Sequence, residues 1–216
     1  MKGKMSEAVK PSKIAAAALL ALVALLMLGV CAWAQDNSTE GWLEQGNELI
    51  ANGSYEEAVS AFDKVIQTDP NNKIAWLNEG AALTRLNKTD EALKAYQEAL
   101  EITNKTLEAN PQDAMAWSEK GLLLHNVGDY EGAVEAFDNA TNIDPENEIA
   151  WKMKGVILAS ELHRYDEAVK AFDTALKINP EDAPVWNLKG DALKALGRQA
   201  DADGAYAKAE GLGHAE

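Results

Sequence analysis

Cysteine is almost absent from this chain: Cys31 is the only one in 216 residues, so no internal disulfide can form and stability must come from packing. Histidine is nearly as scarce. His125, His163 and His214 lie far apart, and no H-E-x-x-H pair sits on one helix to bind a metal. There is no phosphate-binding P-loop, no G-x-G-x-x-G after a strand and no G-x-S-x-G elbow. Acidic stretches such as Asp144 to Glu148 lack the glycine-centred spacing of a calcium loop. These gaps point away from an enzyme and call for no cofactor; only distant residues converging in a groove would supply catalysis. Basic residues are also in short supply, 20 against 35 acidic ones. A surface so acidic repels nucleic acid phosphates and anionic lipid headgroups, which argues against a nucleic acid role, and it keeps the chain well solvated.

Charge of either sign is missing from one stretch, the 21 residues from Ile14 to Ala34, and Lys2, Lys4, Lys10 and Lys13 stand before it. That is a basic region followed by an apolar one, as in a secretory signal. Ala32-Trp33-Ala34 would let a signal peptidase cut before Gln35, while the length of the run is close to the roughly 20 residues of a membrane-spanning helix. Residues 1–34 are therefore expected to be a signal peptide or an N-terminal membrane anchor, with residues 14–34 the only part to meet a membrane. Cys31 is not read as a lipid attachment site, because Val30 stands where a small residue is needed. Either way the remainder is expected outside the cytoplasm, since the lysines stay inside. Taking those four lysines and Glu7 away leaves 16 basic and 34 acidic residues, a net charge of −18. Five N-x-S/T sequons, at Asn37, Asn52, Asn87, Asn104 and Asn139, are candidate glycosylation sites on an exported chain.

What is present repeats. Trp42, Trp76, Trp117, Trp151 and Trp186 are spaced by 34, 41, 34 and 35 residues, and a glycine follows each by one helical turn, at Gly46, Gly80, Gly121, Gly155 and Gly190. An indole and a missing side chain on one face of a first helix let a second helix approach closely. That second helix carries a small residue and then an aromatic one: Ala58 with Phe62, Ala92 with Tyr96, Ala133 with Phe137, Ala168 with Phe172, Ala202 with Tyr206. Pro70, Pro111, Pro145 and Pro180, each after Asp or Asn, end one unit and begin the next. The unit from Ala116 to Pro145, with Trp117, Gly121, Gly128, Tyr130, Ala133, Phe137, Ala140 and Pro145, resembles the tetratricopeptide motif. The resemblance implies an all-α, right-handed α-solenoid of five helix-turn-helix units whose first helices line a concave face. A short linker over residues 35–38 then leads into units over residues 39–72, 73–113, 114–147, 148–182 and 183–216. The tryptophans read as core, and loss of Trp117 is expected to cost roughly 3–5 kcal/mol.

Three departures from the period carry information. The second unit holds an extra segment, Asn104 to Asn110, which shifts helical phase by only about 20°. A helix from about Asp90 to Glu108 is expected to project beyond its neighbours. The fourth unit lacks the turn glycine seen at Gly53, Gly128 and Gly197 and is expected to turn irregularly around His163 and Arg164. In the fifth, Asp203 and Glu210 replace aliphatics such as Val169 and Leu176, so the last helix is expected to cap the array.

The family's concave positions fall here on Leu43, Asn47, Leu77, Asn78, Arg85, Met115, Glu119, Leu122, His125, Asn126, Lys152, Val156, Asn187, Asp191 and Lys194. As candidate groove residues for a protein or peptide partner, Asn47, Leu77, Asn78, Arg85, Leu122, His125, Asn126, Lys152, Asn187 and Lys194 are singled out. The family's clamp for a C-terminal carboxylate, two asparagines and three cations, is not expected here. Asn47 and Asn78 match its asparagines, but its cation positions hold Leu43, Met115 and Glu119, the last of which would repel a carboxylate. Arg85, Lys152 and Lys194 read as ordinary solvated cations, with contact to an acidic or polar ligand segment as the alternative. The expectation is an extracytoplasmic binding scaffold. Self-assembly through the long second-unit helix, and a hydrolase or glycan-binding site in the groove, are the alternatives.

Overall fold

The computed structural model describes residues 38–213, and among these every regular element is an α-helix. The expectations placed on residues 1–37, Asn37 included, and on His214 lie outside the described residues. Among the described residues ten helices follow one another in pairs: α1 (Thr39–Ala51) with α2 (Tyr55–Thr68), α3 (Lys73–Arg85) with α4 (Thr89–Ala109), α5 (Ala114–Val127) with α6 (Tyr130–Ile143), α7 (Glu148–Ser160) with α8 (Tyr165–Ile178), and α9 (Ala183–Ala195) with α10 (Gln199–Gly213). Each helix packs on the one before and the one after, so the chain is an α-solenoid.

The junctions between pairs are set by four residues at a time. In Asp69-Pro70-Asn71-Asn72, the Asp69 carboxylate accepts the Asn71 N–H, and the Asn72 side chain caps α3 by accepting the Ala75 N–H at 3.1 Å. The same two bonds recur at Asn110 and Asp113, at Asp144 and Asn147, and at Asn179 and Asp182. Proline cannot continue the outgoing helix, and the polar residue two places on starts the incoming one.

Within each pair the glycine of the first helix lies under the aromatic ring of the second. A Cβ built on Gly121 would stand 2.8 Å from Phe137 Cε2, closer than real side chains come. The contact repeats between Gly46 and Phe62, Gly80 and Tyr96, Gly155 and Phe172, and Gly190 and Tyr206. Phe62, Phe137 and Phe172 are accordingly the largest fully buried side chains.

The tryptophans sit elsewhere than a central core. Trp117, Trp151 and Trp186 pack on its edge and stay half-buried. The indole N–H of Trp76, Trp117, Trp151 and Trp186 donates at 2.9–3.0 Å to the carbonyl of Pro70, Pro111, Pro145 and Pro180 respectively. Each ring thus ties its helix to the junction that starts it. A half-buried ring leaves a smaller loss on deletion than the roughly 3–5 kcal/mol of a fully buried one.

The irregular stretches have physical causes. Helix α4 runs for 21 residues, and its added length is partly packed: Thr103 and Leu107 are buried while Glu101, Lys105 and Glu108 face solvent. In the turn of the fourth unit His163 takes the left-handed backbone, φ 54°, that Gly128 adopts at 86° in the third. On α10, Asp203 and Glu210 are exposed, whereas Val134, Val169 and Leu176 at the matching places of α6 and α8 are buried.

Candidate protein-binding groove

First helices of successive units touch one another, α1 with α3, α5 with α7 and α7 with α9, which puts them on the inner side of the stack. Two links tie this side together at its start. The Asn78 side-chain amide donates to Asn47 Oδ1 at 2.7 Å, so these two groove candidates are each other's partner. Lys73 of α3 pairs with Glu119 of α5, which neutralises the acid that was expected to repel a bound carboxylate.

Between α3 and α5 an apolar cavity of about 60 Å³ opens, lined by Lys73, Ile74, Leu77, Glu119, Leu122 and Leu123. It brings together Leu77 and Leu122. A wider apolar cleft of about 320 Å³ lies between α7 and α9, with Val156, Ala159, Tyr165, Leu188 and Ala192 in its walls and Asp191 at its edge. The Tyr206 hydroxyl donates to Asp191 at 2.7 Å, which fixes that carboxylate.

Other candidates are spread out. His125, half-buried in the last turn of α5, tilts against Tyr130 with ring centroids 5.7 Å apart. Asn126, Asn187, Arg85 and Lys194 are exposed. Lys152 has an internal partner that lies far off in sequence: its ammonium pairs at 2.8 Å with Asp182, whose side chain is 10% exposed and also caps α9. Desolvation pushes the Asp182 carboxyl up, but hydrogen bonds from Lys152 and the Val185 N–H outweigh it and hold the group below its ordinary range. The sequons differ in setting: Asn52 and Asn87 lie in turns, Asn104 and Asn139 inside α4 and α6.

A stripe of large exposed apolar side chains was not among the sequence candidates as such. Ile74, Met115 and Ile149 are 51%, 72% and 62% exposed, and each stands two residues before the tryptophan of its unit. Comparing the residues two before each tryptophan would find it, because isolated apolar side chains are ordinary on a surface but three in register are not. Among the described residues no three His, Cys, Asp or Glu side chains are placed to hold a metal ion.

A stack of helix pairs with a lined inner side defines a helical-repeat protein. Three models of the tetratricopeptide repeat match it, over residues 43–105, 95–135 and 124–192, and together run unbroken from residue 43 to residue 192. The chain belongs to the tetratricopeptide repeat family. Protein STIP1 homolog of Dictyostelium discoideum is 41% identical over 49 residues, 23% of this chain and 9% of that protein. A TPR repeat-containing protein of Methanocaldococcus jannaschii is 36% identical over 58 residues, 27% of this chain and 10% of that one. The matches therefore span about a tenth of the curated relatives' length. Among solved structures, PilF of Pseudomonas aeruginosa superposes with a TM-score of 0.63 at 18% identity, covering 84% of this chain and 79% of that one. MamA of Desulfovibrio magneticus gives 0.60 at 19%, covering 85% and 99%. YrrB, described as having an unusual peptide-binding site, gives 0.54 at 18%, covering 82% and 88%. At such identities these structures show the fold.

Proposed function

We propose that the chain is an exported, non-enzymatic interaction scaffold that holds a partner protein or extended peptide against the inner side of its first helices. The observation that carries this is the apolar stripe of Ile74, Met115 and Ile149 beside the cavity at Leu77 and Leu122. Two inner-side cations are spent on internal partners, Lys73 on Glu119 and Lys152 on Asp182, and Arg85 and Lys194 stay exposed, so the apolar stripe is the groove's main contact surface for a partner. Export is supported by the four lysines ahead of the uncharged run from Ile14 to Ala34, with the sequons as candidate glycosylation sites. YrrB lends a precedent for peptide binding in this fold. Self-assembly through α4 has less to stand on, because Thr103 and Leu107 in its added length face inward. The test is a binding comparison of the full chain with the Ile74→Lys, Met115→Lys, Ile149→Lys triple variant, using membrane-fraction proteins as ligand. Equal recovery of every partner by both would move the binding surface off the groove.

A further inference from the structure

The units share a second device on the side of the first helices turned away from the stripe. In unit 4, Lys154 lies 5.3 Å from the centre of the Trp151 ring and pairs with Asp138 of the preceding unit. In unit 5, Lys189 lies 5.0 Å from the Trp186 ring and pairs at 2.6 Å with Asp173. Both seams place an ammonium between an indole face and a carboxylate, with tryptophan 13 and lysine 16 residues after the aspartate. Cation–π and charge attraction act together there. Unit 3 keeps the ring and the cation, Lys120 lying 5.1 Å from the Trp117 ring.

The seam between units 1 and 2 keeps the acid and the ring and inverts the third part. Asp63 stands 13 residues before Trp76, but the residue 16 after it is Glu79. Glu79 is only 9% exposed, its Oε2 has no hydrogen-bond partner, and the charged groups that act on it, Asp63 on α2 and Glu91 on α4, are both acids. Glu91 itself is met by Lys88 at 3.7 Å. Among the described residues Trp76 has no cation over its ring and Asp63 no ion pair. Where the other seams hold a lysine, this one holds an acid.

We propose that this seam is a docking site for a lysine or arginine side chain of a partner protein, whose cation lies between the Trp76 indole face and the carboxylates of Asp63 and Glu79. The bound cation occupies the place that Lys154 and Lys189 fill from within in units 4 and 5. It enters past exposed Asp63 and satisfies an acid that the fold leaves buried without a partner. Trp76 lies about 160° around α3 from Ile74 at roughly 100° per residue, so the site is separate from the groove and stands or falls independently of it.

The experiment titrates the full chain with a hexalysine peptide and follows the tryptophan indole N–H signals by NMR, that of Trp76 being assigned with Trp76→Phe. The expected result is a saturable shift centred on Trp76. Glu79→Lys supplies the cation internally and should weaken binding roughly tenfold or more. Glu135→Lys, the same change of net charge on exposed α6, should alter it less than about twofold. Asp63→Asn, an exposed change that leaves the core intact, should weaken binding several-fold. Equal loss in Glu79→Lys and Glu135→Lys would reveal diffuse attraction to an acidic surface and overturn the proposal. So would binding that neither Glu79→Lys nor Asp63→Asn weakens, or the absence of any saturable shift at Trp76.

Discussion

Replacing Glu79 with glutamine should stabilise the protein, by an amount that depends on pH. Burial first, then the charges of Asp63 and Glu91, raise this carboxyl from 4.5 to about 7. Because the folded value lies above the unfolded one, the folded chain holds a proton across an interval in which the unfolded chain has released it. Stability is therefore lost as pH rises from 4.5 to about 7 and is level beyond. At about 1.4 kcal/mol per unit the whole effect is about 3 kcal/mol, and about 2 kcal/mol once water near the exposed neighbours is allowed for. Glutamine keeps the shape and carries no charge. Urea unfolding of both proteins, followed by far-UV circular dichroism, should show them within about 1 kcal/mol of each other near pH 5 and about 2 kcal/mol apart near pH 8. A difference that stays the same at both pH values would come from packing and would exclude a buried charge at Glu79 as its cause.

Other perturbations test the packing. Phe137→Ala removes a fully buried ring and should cost about 3–5 kcal/mol, whereas Trp117→Ala, at a half-buried edge position, should cost about 2 kcal/mol; thermal melts that rank them in the opposite order would return the tryptophan to the centre of the core. Gly121→Ala pushes a methyl into the Phe137 ring and should cost about 1–3 kcal/mol, which hydrogen exchange would place in the third unit first. His163→Gly relieves a left-handed backbone and should raise the stability of the fourth unit by up to about 1 kcal/mol, read from its hydrogen-exchange protection. Deleting Asn104 to Asn110 should leave the oligomeric state measured by light scattering unchanged, since the inward side of that segment already packs within the chain.

Much of the fold can be read from one ruler. Tryptophan and glycine one turn apart, returning about every 34 residues, imply helix pairs before any coordinate is known, because the period alone fixes how each unit must bury its face. The junction chemistry is harder to read: proline is visible, but the capping roles of Asn72, Asp113, Asn147 and Asp182 depend on backbone geometry that a polar residue near a proline does not reveal. The indoles mislead for a related reason. Periodicity marks a residue as facing the core, yet the Phe or Tyr of the second helix reaches the glycine first and leaves the tryptophan at the edge. For the groove, Leu77 and Leu122 do meet, but Lys152 looks available only because Asp182, 30 residues away, is not a neighbour in sequence. Ile74 and Ile149 are hard to pick out because apolar residues beside a periodic tryptophan read as more core.

A photo-crosslinking residue tests, position by position, whether the inner side of the first helices holds the partner. Placed at Met115 in the full chain, on the most exposed member of the stripe, it should form an adduct with a partner, and the same residue placed at exposed Glu135 on α6 should not. Adducts from Glu135 alone, or equally from both positions, would contradict the account.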